Sequence, residues 1–339
     1  MLTVCVGLFV PGFRPVAVPV PHHSPDLLTA GIVVLAVAAV SSSAPLVAFA
    51  AAPALAIAFW RNLLSAAALG PFALARRRAE FRALTVGAGR REGWYCVLSG
   101  VALAAHFATW MPSTKLTSVA AATALVATQP VWQGLIARAQ GRRLPAAVWA
   151  GIGVAVAGAV LASGADFAVS GRAFAGDLLA VAGGAFAAVY TALGERARTT
   201  VSTTTYTTVC YGVCALILLV VCLVAGVPLA GYDAGTWLAI LGLVGGAQLL
   251  GHSMFNHLLR RIPATTVSVL ALLEAPGAAL VAWVWLGQLP PAVALPGLAV
   301  LLLGVVVVVL GAARAARPAA PLPTPLPADA TPLSERPPA

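Results

Sequence analysis

The sequence predicts an all-α membrane protein, with ten transmembrane helices arranged as two five-helix repeats of inverted topology. Three observations carry that expectation. The 339 residues are 60% hydrophobic and 9% charged, with a mean hydropathy of +0.95. A soluble domain carries about 25% charged residues, and a chain this apolar has no means of covering a water-facing surface. Apolar stretches of bilayer-crossing length recur along the chain, and features of the first half return in the second at a constant offset.

The chain begins with LTVCVGLFV and then five prolines with His22 and His23. The apolar run is short and no basic region precedes it, so residues 1–26 read as a disordered or interfacial leader, not a signal peptide. Ten apolar spans follow, at 27–47, 53–74, 94–112, 117–137, 145–163, 175–193, 204–226, 235–257, 264–286 and 292–312. They group into a first repeat over 27–163 and a second over 173–312. The Ala/Pro-rich remainder, 313–339, cannot build a core and reads as a disordered cytoplasmic tail.

The net charge of +10 follows from where the arginines fall, and nucleic acid is not an expected partner. With the N-terminus inside, the inner segments hold Arg14, Arg76, Arg77, Arg78, Arg82, Arg90, Arg91, Arg138, Arg142, Arg143, Arg196, Arg198, Arg260, Arg261, Arg314, Arg317 and Arg336. The outer loops hold Lys115 and Arg172, and Arg61 lies within a span. The positive-inside rule then places both termini in the cytoplasm of a multi-pass inner-membrane protein.

Setting Pro130 on Pro276, an offset of 146, also places Gly141 on Gly287, Pro145 on Pro291, Gly151 on Gly297, Gly158 on Gly304 and His106 on His252. Each half has five spans, an odd number, so the second half enters from the opposite side. Secondary transporters are built this way, with the substrate between the repeats. Pro130 and Pro276 are the candidate helix breakers near a central cavity; a kink used only for packing is the other reading.

Two formal charges lie deep in the spans, Arg61 and Glu274. An acid in hydrocarbon costs roughly 2.5–3.5 kcal/mol on insertion scales, so it is normally turned inward. Either the two line a cavity, binding the carboxylate and ammonium of a zwitterion or taking up a proton, or they pair and hold the repeats together. His106 and His252 are candidates for a proton relay or for hydrogen-bonded packing. Trp60 fits a cavity wall or core packing, and Asn256 a gate or a polar cluster near the end of its span. Glu274 aligns with Thr128, so the carboxylate belongs to one half alone.

The five cysteines read as small buried hydrophobes, and no metal-type cluster accompanies them. Gly151-Ile152-Gly153 lies within an apolar span, no Walker lysine appears, and no Ser/His/Asp order stands out. No catalytic residue, metal or cofactor is expected. A membrane-embedded enzyme or lipid-handling protein would gather polar residues at one interface, whereas here they are sparse and spread over both halves. A non-transporting subunit is the remaining class.

Several segments resemble the drug/metabolite transporter superfamily, specifically its EamA-type ten-helix exporters. They are Phe59-Trp60-Arg61-Asn62, Thr117-Ser118-Val119-Ala120 leading to Gln129-Pro130, and Gly176-Asp177-Leu178-Leu179. Tyr211-Gly212, Gly251-His252-Ser253, Phe255-Asn256 and Pro263 to Ser268 complete the set. Ala275 stands between the acid and its proline, and Gln288 follows Leu286-Gly287; both depart from the usual pattern of such proteins. The resemblance implies export of amino acids or small metabolites; the expected setting is the lipid bilayer, as a monomer or homodimer. The expected mechanism is alternating access, with two inverted five-helix bundles rocking around a midplane cavity.

Overall fold

The computed structural model describes residues 27–117, 119–163, 171–287 and 292–316, and all regular structure among them is helical. The expected leader and nearly all of the tail lie outside the described residues. In hydrocarbon every backbone N–H and C=O needs an internal partner, and helices supply one locally.

Helix α1 (Leu27–Ser41) is interrupted at Ser42 before α2 (Ser43–Phe49). There Ser41 and Ser42 turn their hydroxyls back onto the carbonyls of Val37 and Ala39, each at 2.7 Å. Pro53 precedes α3 (Ala54–Arg76), a short helix α4 (Arg78–Val86) follows, and α5 (Arg90–Leu116) returns. Then come α6 (Val119–Val126), α7 (Gln129–Ala139) and α8 (Ala146–Ser163).

The second half begins with α9 (Gly171–Ala197) and α10 (Thr203–Val224); Ser202 caps α10 by accepting the Thr205 N–H at 3.3 Å. Asp233 caps α11 (Ala234–Gly242), accepting the Thr236 N–H at 2.7 Å. This helix runs through a π-helical segment, Leu243–His252, into α12 (Ser253–Leu258). Helices α13 (Ala264–Ala271) and α14 (Glu274–Leu286), a single 3-10 turn (Ala292–Ala294) and α15 (Leu295–Ala316) complete the fold.

Eight of these segments are long and apolar enough to cross a membrane: Leu27–Phe49, Ala54–Arg76, Arg90–Ser113, Gly171–Ala197, Thr203–Val224, Ala234–Leu258, Ala264–Trp285 and Leu295–Ala315. Ala146–Ala162 is apolar but shorter. The expected span at 117–137 is divided between α6 and α7, neither of which is long enough alone.

Packing units do not coincide with the two halves of the chain. One apolar core joins α3 and α5 to α9 and α10, through Phe59, Phe107, Tyr190 and Tyr211 among others. A second joins α1 and α8 to α12, α13 and α15, through Val40, Ile152, Leu258 and Leu301, and a smaller third joins α3 to α11 and the π-helical segment, through Ile57, Ala239 and Leu243. Each core therefore draws helices from both halves, in place of two self-contained five-helix bundles.

Helices α8 and α15 run antiparallel and touch backbone to backbone. A Cβ on Gly158 would stand 2.1 Å from the Leu301 nitrogen, and one on Gly304 would stand 2.2 Å from the Ala155 nitrogen. Likewise Gly151 abuts Val308, and Gly297 abuts Ala162. Adding 146 to one member of each contact gives a member of its mate, so the interface maps onto itself. Small residues permit such close approach without a hydrophobic drive between helices.

Candidate functional site

The site begins with two interrupted helices. Helix α6 gives way at Ala127 and Thr128, and α13 gives way at Leu272 and Leu273; at the offset of 146 the two breaks overlap, displaced by one residue. Pro130 and Pro276 stand just past the breaks. A proline has no N–H, and its ring collides with the carbonyl four residues back, here those of Val126 and Leu272. Tighter bonds replace the lost ones, Val131 N–H to Thr128 O at 2.9 Å and Ala275 N–H to Leu272 O at 3.2 Å.

At the two breaks the aligned side chains behave differently. The Thr128 hydroxyl donates to Leu125 O at 2.6 Å and accepts the Trp132 indole N–H at 3.3 Å. Glu274 is the first residue of α14 and is half-buried, and its carboxylate makes no hydrogen bond or ion pair among the described residues. A helix N-terminus favours negative charge by about 0.3–1 kcal/mol, so α14 partly supports the acid while leaving both oxygens free.

Arg61 sits on α3, 3% exposed. Its Nε donates to Gln248 Oε1 at 2.8 Å, and its guanidinium lies 5.5 Å from the centre of the Phe107 ring. Nη2 is sealed from solvent and makes no hydrogen bond. No carboxylate reaches Arg61 at ion-pairing distance among the described residues, yet Glu274, His106 and His252 all feel its charge. Four of the residues singled out in the sequence are thus brought into one electrostatic neighbourhood.

The histidines differ. His106 shares a 2.9 Å hydrogen bond with Gly183 O and stacks on Trp110 at 5.9 Å. A carbonyl only accepts, so Nδ1 carries the proton and Nε2 is left as an acceptor. His252 ends the π-helical segment without a hydrogen-bond partner among the described residues. Trp60 is placed elsewhere: its indole N–H donates to Leu229 O at 2.8 Å and its ring meets Trp237 edge-on at 5.1 Å. It seals the loop before α11.

Asn256 belongs to a polar chain leading away from Arg61. Ser253 Oγ bonds Gln248 O at 3.2 Å and shares a 3.3 Å contact with the Tyr211 hydroxyl. Asn256 Nδ2 donates to that hydroxyl at 3.4 Å, and its Oδ1 accepts the Tyr190 hydroxyl at 2.9 Å. The buried Arg198 donates from Nε to the Asn256 carbonyl at 3.1 Å. Gln248 and Tyr190 were not picked out from the sequence, although a glutamine within an apolar span was a visible signal.

At the arginine-rich end α7 packs against α13, and Glu195 joins the halves. It accepts both terminal nitrogens of Arg142 and the Ala264 N–H that opens α13. At the other end the half-helices lean on different neighbours, α6 on α5, α8 and α9, and α14 on α1 and α2.

The sequence model described as "EamA-like transporter family" matches residues 27–164 and again 174–310. The chain belongs to the EamA-like transporter family. The first match ends just past α8 and the second begins within α9, so each EamA-like half supplies one of the two proline-marked breaks. A solved structure described as "Crystal structure of protein" is 22% identical to this EamA-like chain, with a TM-score of 0.70. The alignment covers 84% of this chain and 97% of that one, and at this identity the likeness shows the fold. No curated protein matches the sequence.

Proposed function

We propose that this chain is a secondary transporter exporting small metabolites or amino-acid-like solutes across the plasma membrane by alternating access. Glu274 and Arg61 line the solute path. The observation that carries the reading is the pair of helices broken at corresponding positions, with an unpartnered carboxylate at one break. Discontinuous helices facing each other across a repeat interface are how transporters present helix ends and free backbone groups to a solute.

In this reading the chain crosses the bilayer ten times, the divided α6–α7 segment and the short α8 included. The repeats have inverted topology and both termini are cytoplasmic; the antiparallel α8–α15 pair and the one-sided arginines support this. The arginine-rich end, with α7 on α13 and Glu195 across the halves, is the cytoplasmic end in its closed state. The moving bodies are the two larger mixed cores, with α6–α7 and α13–α14 between them. Proton coupling through Glu274, with the histidines as relays, completes the proposal.

The test is solute flux into proteoliposomes of the purified chain, across a panel of amino acids and small metabolites, with and without a pH gradient. Flux above empty vesicles that rises with the gradient supports coupled transport. Equal rates in both conditions remove the coupling and leave facilitated diffusion. Absence of flux for every compound rejects the reading.

A further inference from the structure

We propose that Gln248 is a positioning residue for Arg61, and that the guanidinium edge it leaves open takes the carboxylate of the transported solute. The inference rests on the transport reading for its solute and goes beyond it by naming the group recognised and the residue that aims the receptor for it.

The orientation follows from a relay with one solution. Asn62 Nδ2 donates to Ala58 O at 2.8 Å, which turns Asn62 Oδ1 the other way. That oxygen accepts Gln248 Nε2 at 3.2 Å, which forces Gln248 Oε1 toward Arg61, whose Nε it accepts at 2.8 Å. An amide has one donor end and one acceptor end, so fixing Asn62 fixes Gln248, and fixing Gln248 fixes the rotation of the guanidinium. Gln248 is held in turn by its place in the π-helical segment and by the Ser253 hydroxyl on its carbonyl. Short π-helical stretches inside α-helices are frequent at functional sites.

With Nε engaged and Phe107 at its face, the guanidinium keeps one free edge, Nη1 and Nη2. Nη2 makes no hydrogen bond and is covered in this conformation, so a carboxylate reaches the edge only when the surrounding helices open. A buried cation without a counter-charge is strongly unfavourable, and the geometry points to an anion as the group this edge receives. The Nη1–Nη2 edge presents two parallel N–H donors, the arrangement that a carboxylate accepts in bidentate fashion. A monoanion balances the single charge of Arg61. A phosphate dianion would instead leave excess negative charge beside Glu274, an electrostatic neighbour of the same arginine.

The probes are matched sets that differ only in charged groups: leucine, isocaproate, isoamylamine and isoamyl phosphate, then phenylalanine, hydrocinnamate, phenethylamine and phenethyl phosphate. The purified full-length chain is heated in detergent with each, and its melting temperature is followed against probe concentration. The amino acids and plain carboxylates are expected to raise it, and the amines and phosphates to leave it unchanged. Gln248→Glu places a carboxylate on Arg61 and is expected to weaken acid binding about tenfold or more. Gln248→Leu is expected to weaken acid binding similarly.

A purely structural role for Gln248 would alter stability but not selectivity between acid and amine. Stabilisation by amines alone, by phosphates alone or by no probe overturns the proposal. Gln248→Glu binding acids as well as wild type does so too. The two readings fail separately: acids that bind but are never carried by proteoliposomes remove transport and leave this site. Amines carried without acids remove this site and leave transport.

Discussion

Arg142 grips Glu195 with both terminal guanidinium nitrogens, at 3.0 and 2.7 Å, while the same carboxylate holds the Ala264 N–H at 2.9 Å. The arginine comes from the loop after α7, the acid from the end of α9, and the amide from the start of α13. One side chain therefore ties the arginine-rich ends of three elements, and the bond to Ala264 satisfies an N–H that no residue of α13 can serve. Glu195→Gln keeps the size but loses the charge, at a cost on the order of 2 kcal/mol. Hydrogen exchange over 264–271 is expected to quicken in Glu195→Gln and in Arg142→Ala, while exchange at the α8–α15 interface stays as in wild type. Unchanged protection over 264–271 would show that packing alone closes this end.

The self-mapping glycine contacts make a paired prediction. Gly158→Ala and Gly304→Ala each place a methyl into the facing backbone, so each is expected to destabilise by about 1–3 kcal/mol, and by similar amounts, because the two sites are equivalents. Gly153 lies on the same helix with nothing within 4 Å of an added Cβ. Gly153→Ala is therefore expected to be neutral, or stabilising by about 0.5–1 kcal/mol. Unfolding of the three variants in mixed detergent micelles provides the comparison. A tolerated Gly158→Ala beside a damaging Gly304→Ala would break the equivalence.

Glu80 supplies the pH-dependent contact outside the spans. It accepts the Ser202 N–H at 2.5 Å and the Ser202 and Thr205 hydroxyls at 2.7 Å each, docking α4 onto the start of α10. Burial alone would push its carboxyl upward. The hydrogen bonds from Ser202 and Thr205, with the charge of Arg77, outweigh burial and hold it below the ordinary 4.5. A depressed carboxyl stabilises the fold fully above 4.5 and loses that contribution as the pH falls through its lower folded value. The stability difference between wild type and Glu80→Gln is thus expected to be steady near neutrality and to shrink on acidification. A difference that grew toward acid would reverse the assignment.

Much of the architecture was legible because it is repetitive. The offset that aligned Gly158 with Gly304 in the sequence also relates their contacts in space. The offset that aligned Pro130 with Pro276 brings the two helix breaks to within one residue of each other. The two-part helix at 119–139 was less visible, because an apolar run hides a break when only one proline and no charge mark it. Gln248, Glu195 and Trp60 were illegible as partners for a different reason. Their hydrogen bonds reach Arg61, Arg142 and Leu229, between 53 and 187 residues away in the chain, and no local pattern encodes such a meeting. The π-helical register at 243–252 is likewise set by packing against α1 and α3, and not by any periodicity in LVGGAQLLGH.

Glu274 stands at the centre of the proposal, since the breaks are shared by both halves and the open carboxylate is not. The most direct measurement is a solute export screen in cells expressing wild type, Glu274→Gln and Thr128→Val at matched membrane levels. The expected result is a solute exported by wild type and by Thr128→Val but not by Glu274→Gln. Export by Glu274→Gln at the wild-type rate would contradict it and leave the carboxylate with a structural role alone.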